Sequence, residues 1–170
     1  MDTAAVILSV IGTICICASS LMKGKDMRII LVFVFLANVF VGSSYVLTGA
    51  TNGMVSCGLG AVTSIINYCF ERKNKGLPMW LVIVYAVAFV TVNLFTFTSI
   101  ASIFALLACL AFVMGVVQKS GKQYRIWTLT NAIFWLIYDI TSLSYGPIIT
   151  HVFQSSVAIF GMVVHDRKKK

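Results

Sequence analysis

Acidic residues are scarce in this chain: five Asp and Glu stand against thirteen Lys and Arg, for a formal charge of +8. Proline is rarer still, with two in 170 residues, and charged residues of both signs make up 11% against 59% hydrophobic. That shortage of charge excludes a soluble domain, which at this length has no way to hide so much apolar surface. No phosphate loop, no H-E-x-x-H and no Ser or Cys nucleophile with an ordered His partner is legible, so no enzymatic activity is expected. The cysteines form no framework. Cys15, Cys17, Cys57, Cys69 and Cys109 lie inside apolar stretches, and the Cys15-x-Cys17 pair has no companion at metal-ligand spacing. They are read as small buried hydrophobes, and no metal or cofactor is expected. The chain also lacks the basic start of a signal peptide: Asp2 precedes the first apolar run, and the first basic cluster follows it.

What is present is a strict segregation of the basic residues. All of them fall into four clusters, Lys23/Lys25/Arg28, Arg72/Lys73/Lys75, Lys119/Lys122/Arg125 and Arg167/Lys168/Lys169/Lys170, which occupy every second gap between apolar stretches. The other gaps, near 48–53, 96–99 and 142–146, carry no charge. With a mean hydropathy of +0.97 the chain reads as an integral membrane protein. Positive loops stay on the cytoplasmic side, so the expected orientation has the N-terminus outside and the C-terminus in the cytoplasm. The charge is therefore a set of loop anchors at the lipid bilayer and not a nucleic-acid footprint. Seven helices are expected, near 4–22, 29–47, 54–70, 78–95, 100–117, 126–141 and 147–165, each about the length that crosses a hydrocarbon core of roughly 30 Å. Pro78 and Pro147 mark the beginnings of the fourth and seventh, where a helix tolerates proline best.

The chain repeats itself. Gly24-Lys25-Asp26-Met27-Arg28-Ile29 and Gly121-Lys122-Gln123-Tyr124-Arg125-Ile126 share the form G-K-x-x-R-I. Farther on, Asn38, Tyr45, Thr48 and Gly53 match Asn131, Tyr138, Thr141 and Gly146 at one constant offset. The expected fold is all-α, with seven transmembrane helices as 3+1+3 parallel three-helix repeats. A first repeat over 1–73, a linker helix within 74–97 and a second repeat over 98–170 form one membrane domain. The odd spacer returns the chain so that both repeats share an orientation, and such repeats commonly place a site between them near the midplane.

The run Leu36-Ala37-Asn38, Tyr45, Leu47-Thr48-Gly49-Ala50, Gly60-Ala61 and Ile66-Asn67, with Gln118-Lys119, Trp135-Leu136-Ile137-Tyr138 and Gly146 in the second half, resembles the YgjV-type bacterial inner-membrane protein family. That family is similar, more remotely, to the SWEET, PQ-loop and PnuC-type transporters. The resemblance implies an inner-membrane location, three-helix bundles, a central pocket and alternating access. The Pro-Gln pair that hinges the first helix of SWEET and PQ-loop proteins is absent here, where the sequence reads Ile11-Gly12-Thr13-Ile14-Cys15, and helix five has no proline either. Gly12 and Gly115 are the expected weak points in their place.

Polar residues inside the spans give the candidate site. Asn38 follows Arg28 by ten residues and Trp135 follows Arg125 by ten, which puts both roughly 15 Å deep, at the midplane. Asn38, Gly42 and Tyr45 share one face of helix two; Asn131, Trp135, Tyr138 and Asp139 share one face of helix six. Amides with aromatic rings suit a polar, ring-bearing solute. The substrate-binding candidates are Asn38, Tyr45, Asn67, Asn131, Trp135 and Tyr138; the competing reading is that the amides bond helices together. Ser56, Gly60, Thr63 and Ser64 on helix three form a small-residue stripe read as packing. Asp139, the one acid well inside a span, is a coupling candidate or an outer vestibule residue, with His151 as its candidate partner. The expected function is transport or facilitation of a small polar solute (a sugar, nucleoside or vitamin-like molecule) by an uncoupled facilitator. A non-transporting scaffold or sensor is the alternative. The expected partners are the bilayer and the solute, with a homo-oligomer left open.

Overall fold

A computed structural model describes residues 3–22, 27–48, 51–97, 100–141 and 145–165, and among them the chain is all-helical. The elements are α1 (Thr3–Leu21), α2 (Met27–Thr48), α3 (Thr51–Arg72), α4 (Met79–Phe95), α5 (Ala101–Val116), α6 (Gly121–Thr141) and α7 (Tyr145–His165). Lys23, Lys25, residues 167–170 and the loop residues at 49–50, 98–99 and 142–144 lie outside the described residues.

Four helices are long and apolar enough to cross a membrane: α1, α2, α3 and α7. Helices α4 and α5 are as apolar but have 17 and 16 residues, about 25 Å at the α-helical rise. The sixth has 21 residues but opens with Gly121-Lys122-Gln123-Tyr124-Arg125. It starts well before the expected residue 126. Apolarity marks where lipid begins, not where the backbone turns helical, and Lys, Gln and Arg are good helix formers. The Tyr124 amide already donates to the Ser120 carbonyl at 2.9 Å.

The end of α3 is built with equal economy. Asn74 takes φ 51°, the left-handed region that Asn tolerates. Lys75 N–H then reaches the Phe70 carbonyl at 3.0 Å and Asn74 N–H the Glu71 carbonyl at 3.1 Å, the paired bonds of a Schellman cap. Pro78 follows in extended conformation as the N-cap of α4.

Burial is inverted relative to a soluble protein. Ser19, Ser20, Ser64, Ser102, Asn67 and Asn131 are buried, while Ile14, Trp80, Ile83 and Phe95 face outward. In lipid the hydrophobic effect does not hold helices together; close packing and inter-helix hydrogen bonds do. Neighbours in sequence are neighbours in space: α2 packs on α1 and α3, α6 on α5 and α7, and α4 on α3 and α5. Contacts of α1 with α7 and of α3 with α5 close the ring. Gly12 makes one of these approaches possible, since a Cβ there would sit 2.5 Å from a Val41 methyl. Apolar packing gathers in two clusters. Ile30, Val34, Val116 and Tyr124 join α2, α5 and α6, and Leu81, Phe89, Cys109 and Val113 join α4 and α5.

Polar bonds complete the ring. Ser9 and Ser44 hydroxyls meet at 2.8 Å between α1 and α2, and Thr13 donates to Thr150 at 3.2 Å between α1 and α7. A charged join is at the end of α1. Arg125 was expected to be an anchor in a cytoplasmic loop, but it is 1% exposed. Its guanidinium donates to the Met22 carbonyl at 2.9 Å and the Ser20 carbonyl at 3.5 Å. These carbonyls lie where α1 runs out of its own donors and its dipole is negative, which is what makes a buried cation tolerable there. The Tyr124 hydroxyl adds a bond to Ser19 at 2.7 Å. Gly161 of α7 leaves the room: a Cβ there would lie 2.7 Å from the Ser20 carbonyl oxygen and 2.9 Å from Arg125 Cδ.

Candidate functional site

Between the helices lies a partly open cavity of about 110 Å³. Every helix contributes to its wall, from Ile16 on α1 and Phe89 on α4 to Trp135 on α6 and Gln154 on α7. Such a space holds several waters, and its lining carries the hydroxyl and amide groups that ordered water or a polar solute needs.

Of the site candidates, Asn38, Tyr45, Asn131, Trp135 and His151 line this cavity, and so does Ser56, which the sequence assigned to a packing stripe. The two amides reach it in different ways. Asn38 donates to the Val34 carbonyl of its own helix at 2.8 Å, and its carbonyl oxygen lies over Gly60 of α3, where a Cβ would come within 2.4 Å. Asn131 donates across to the Ala108 carbonyl of α5 at 2.8 Å and is 8% exposed. It bonds two helices and lines the cavity at once.

Tyr138 and Asp139 stand one layer back. The Tyr138 ring meets Trp135 edge-on, centroids 5.5 Å apart at 85°. Asp139 is 2% exposed, and its Oδ2 lies 2.6 Å from His151 Nδ1. The His151 ring in turn lies flat on Trp135, centroids 5.9 Å apart and 7° from parallel. The chain of contacts runs from a buried carboxylate, through an imidazole, to the cavity.

Asn67 is not brought to the cavity. It donates to the Val116 carbonyl at 3.0 Å, accepts from the Tyr85 hydroxyl at 3.1 Å, and so ties α3, α4 and α5 together. Depth along a helix placed it near the other amides, but depth does not give direction around the axis. Sequence reasoning missed Thr150 and Gln154, which line the cavity on either side of His151. Their signal was available: positions 150, 151 and 154 hold polar groups on one face of α7. Among the described residues no three His, Cys, Asp or Glu side chains gather as metal ligands would.

The description of one protein family, Imp-YgjV, bacterial inner membrane protein, matches residues 3–169. The chain belongs to this family. It is accordingly a bacterial inner-membrane protein, and the match takes in all seven helices and the whole cavity wall. No curated protein and no solved structure matches it.

Proposed function

We propose that this Imp-YgjV protein is a transporter or facilitator that passes a small polar solute through the central cavity. The observation that carries the reading is the cavity itself, lined by all seven helices, with Asn38, Asn131 and Trp135 all on its wall. The proposal includes seven crossings, a 3+1+3 arrangement, and the N-terminus outside. In its support, α2 sits between α1 and α3 as α6 sits between α5 and α7, and α4 leans on one helix of each set. Single-cysteine labelling in a cysteine-free background checks the orientation: reagents should reach positions 74 and 120 only from the cytoplasmic side.

A second reading, a scaffold or sensor acting through a partner protein or a second copy, draws on the Asn131 bond to Ala108, the helix-to-helix bond such a role needs. Thermal stabilisation of the purified protein, screened over sugars, nucleosides and vitamin-like compounds, separates the two. A transporter should yield a solute whose stabilisation disappears in Trp135→Ala while the protein stays folded and monodisperse. Stabilisation indifferent to Trp135 would move the site elsewhere.

A further inference from the structure

The central cavity does not run the length of the bundle. Its wall reaches Tyr45 near the end of α2, Gly53 near the start of α3 and Thr150 near the start of α7, at the end whose loops carry no charge. Toward the other end, which bears Arg28, Arg72 and Lys119, it stops at Ile16 and Phe112. Both of these side chains pack against the buried cluster that holds Ile30, Leu31, Val34 and Val116. Leu31 and Val116 also line a second, smaller space, a cleft of about 20 Å³ whose other walls include Asn67, Glu71, Lys75 and Lys119. One apolar layer thus separates two spaces with polar groups on their walls.

The layer is closely filled. Ile30 and Val34 are fully buried, and Leu31 and Val116 nearly so. A constriction of aliphatic side chains offers a polar solute or an ion nothing in exchange for its water, so it blocks passage by desolvation as well as by size. An amide stands at each face. Asn38, on the cavity wall, donates to the Val34 carbonyl at 2.8 Å. Asn67, on the cleft wall, donates to the Val116 carbonyl at 3.0 Å. The layer also spans the two halves of the chain, with α2 on one side and α5 and α6 on the other. Tyr124, a member of the same cluster, ties them further through its bond to Ser19 on α1 at 2.7 Å.

We propose that this apolar layer is a gate at the basic end of the pathway, closed in this structure, and that the cleft beside Asn67 is the mouth beyond it. The central cavity is then reached from the charge-free end alone. Opening parts α2 from α5 and α6 at Ile30, Leu31 and Val116, which joins cavity and cleft into one space with Asn38 on one side and Asn67 on the other. Asn67, absent from the cavity wall, thereby gains a place on the same route. The gate rests on the reading that the cavity carries solute, and it says from which side that solute enters this state.

Right-side-out and inverted membrane vesicles test it. Each probe is a single cysteine in a cysteine-free, full-length chain, treated with a charged methanethiosulfonate that does not cross the bilayer. Asn38→Cys should react from the charge-free side at least about tenfold faster than from the basic side, since a minor open state is populated to about 10% or less. Gln118→Cys, on the cleft wall, should react from the basic side only. Adding Leu31→Ala to Asn38→Cys thins the layer and should raise the basic-side rate about tenfold. Adding Tyr124→Phe instead, which keeps the ring and removes only the hydroxyl, should raise it by less. The ratio of rates in Asn38→Cys is read with the layer intact, so the test holds even if the Leu31 variant folds poorly. Equal rates from both sides, a faster rate from the basic side, or no reaction from either would overturn the gate. So would a basic-side rate indifferent to both Leu31→Ala and Tyr124→Phe. These outcomes leave the transport reading standing, and that reading fails separately if the solute screen yields no stabilising compound.

Discussion

Arg28 and Arg125 hold the same place in the two G-K-x-x-R-I segments and do opposite things. Arg28 is exposed and donates to the Asn74 side chain at 3.0 Å on the surface. Arg125 is buried and closes the end of α1. The amides divide in the same way: Asn38 bonds within its own helix, Asn131 bonds to the neighbouring one. Asp139 is buried, while its counterpart by the repeat offset, Val46, is 57% exposed. A repeated residue thus inherits a depth and a helix, but not a partner. At these three pairs of positions the second half carries the buried charge and the inter-helix amide bond, and the first half keeps the more ordinary version of each residue.

The largest test of that contrast is at the arginines. Arg125→Ala removes charge-assisted bonds to two carbonyls at a buried helix end and should cost about 3 kcal/mol. Arg28→Ala should leave the melting temperature of the detergent-solubilised protein unchanged within error, because its bond is to a solvated side chain. Equal melting temperatures for the two variants would erase the distinction. Arg125→Lys should recover part of the loss, since a single ammonium cannot reproduce the fork of donors.

A smaller effect is expected at the amides. Asn131→Ala should lower stability by about 1 kcal/mol, the scale of an inter-helix hydrogen bond in a membrane protein. Asn38→Ala should stay below about 0.5 kcal/mol, because only a bond back onto its own helix is lost. Unfolding in mixed micelles measures both. If Asn38→Ala is the more damaging, its contact over Gly60 is a structural support and the assignment of roles between the halves reverses.

The helices were legible because lipid demands long apolar runs, and basic clusters and Pro78 interrupt them at the right places; Pro147 instead lies in the first turn of α7, which starts at Tyr145 and not at the expected 147. The start of α6 was not, because Lys122 and Arg125 look like loop residues until the carbonyls that receive Arg125 are known. Those carbonyls belong to Ser20 and Met22, far away in sequence. Five of the eight site candidates reach the cavity wall, since polar residues at the middle of a span have few other places to go. Asn67 could not be told apart from them, as its partners Val116 and Tyr85 lie on other helices. Gln154 was overlooked for a different reason: no counterpart in the first half drew attention to it.

The closure of α1 by Arg125 also sets an order in time. The two ends of the Ser20–Arg125 bond are 105 residues apart. At about 5–20 residues per second of synthesis, the end of α1 waits on the order of 5–20 s before its partner exists. During that interval its last carbonyls must stay at the water boundary, and α1 has no fixed neighbour on that side. The earliest made of the seven helices is therefore among the last to be locked, and a nascent chain halted before α6 would hold α1 in place without being able to finish it.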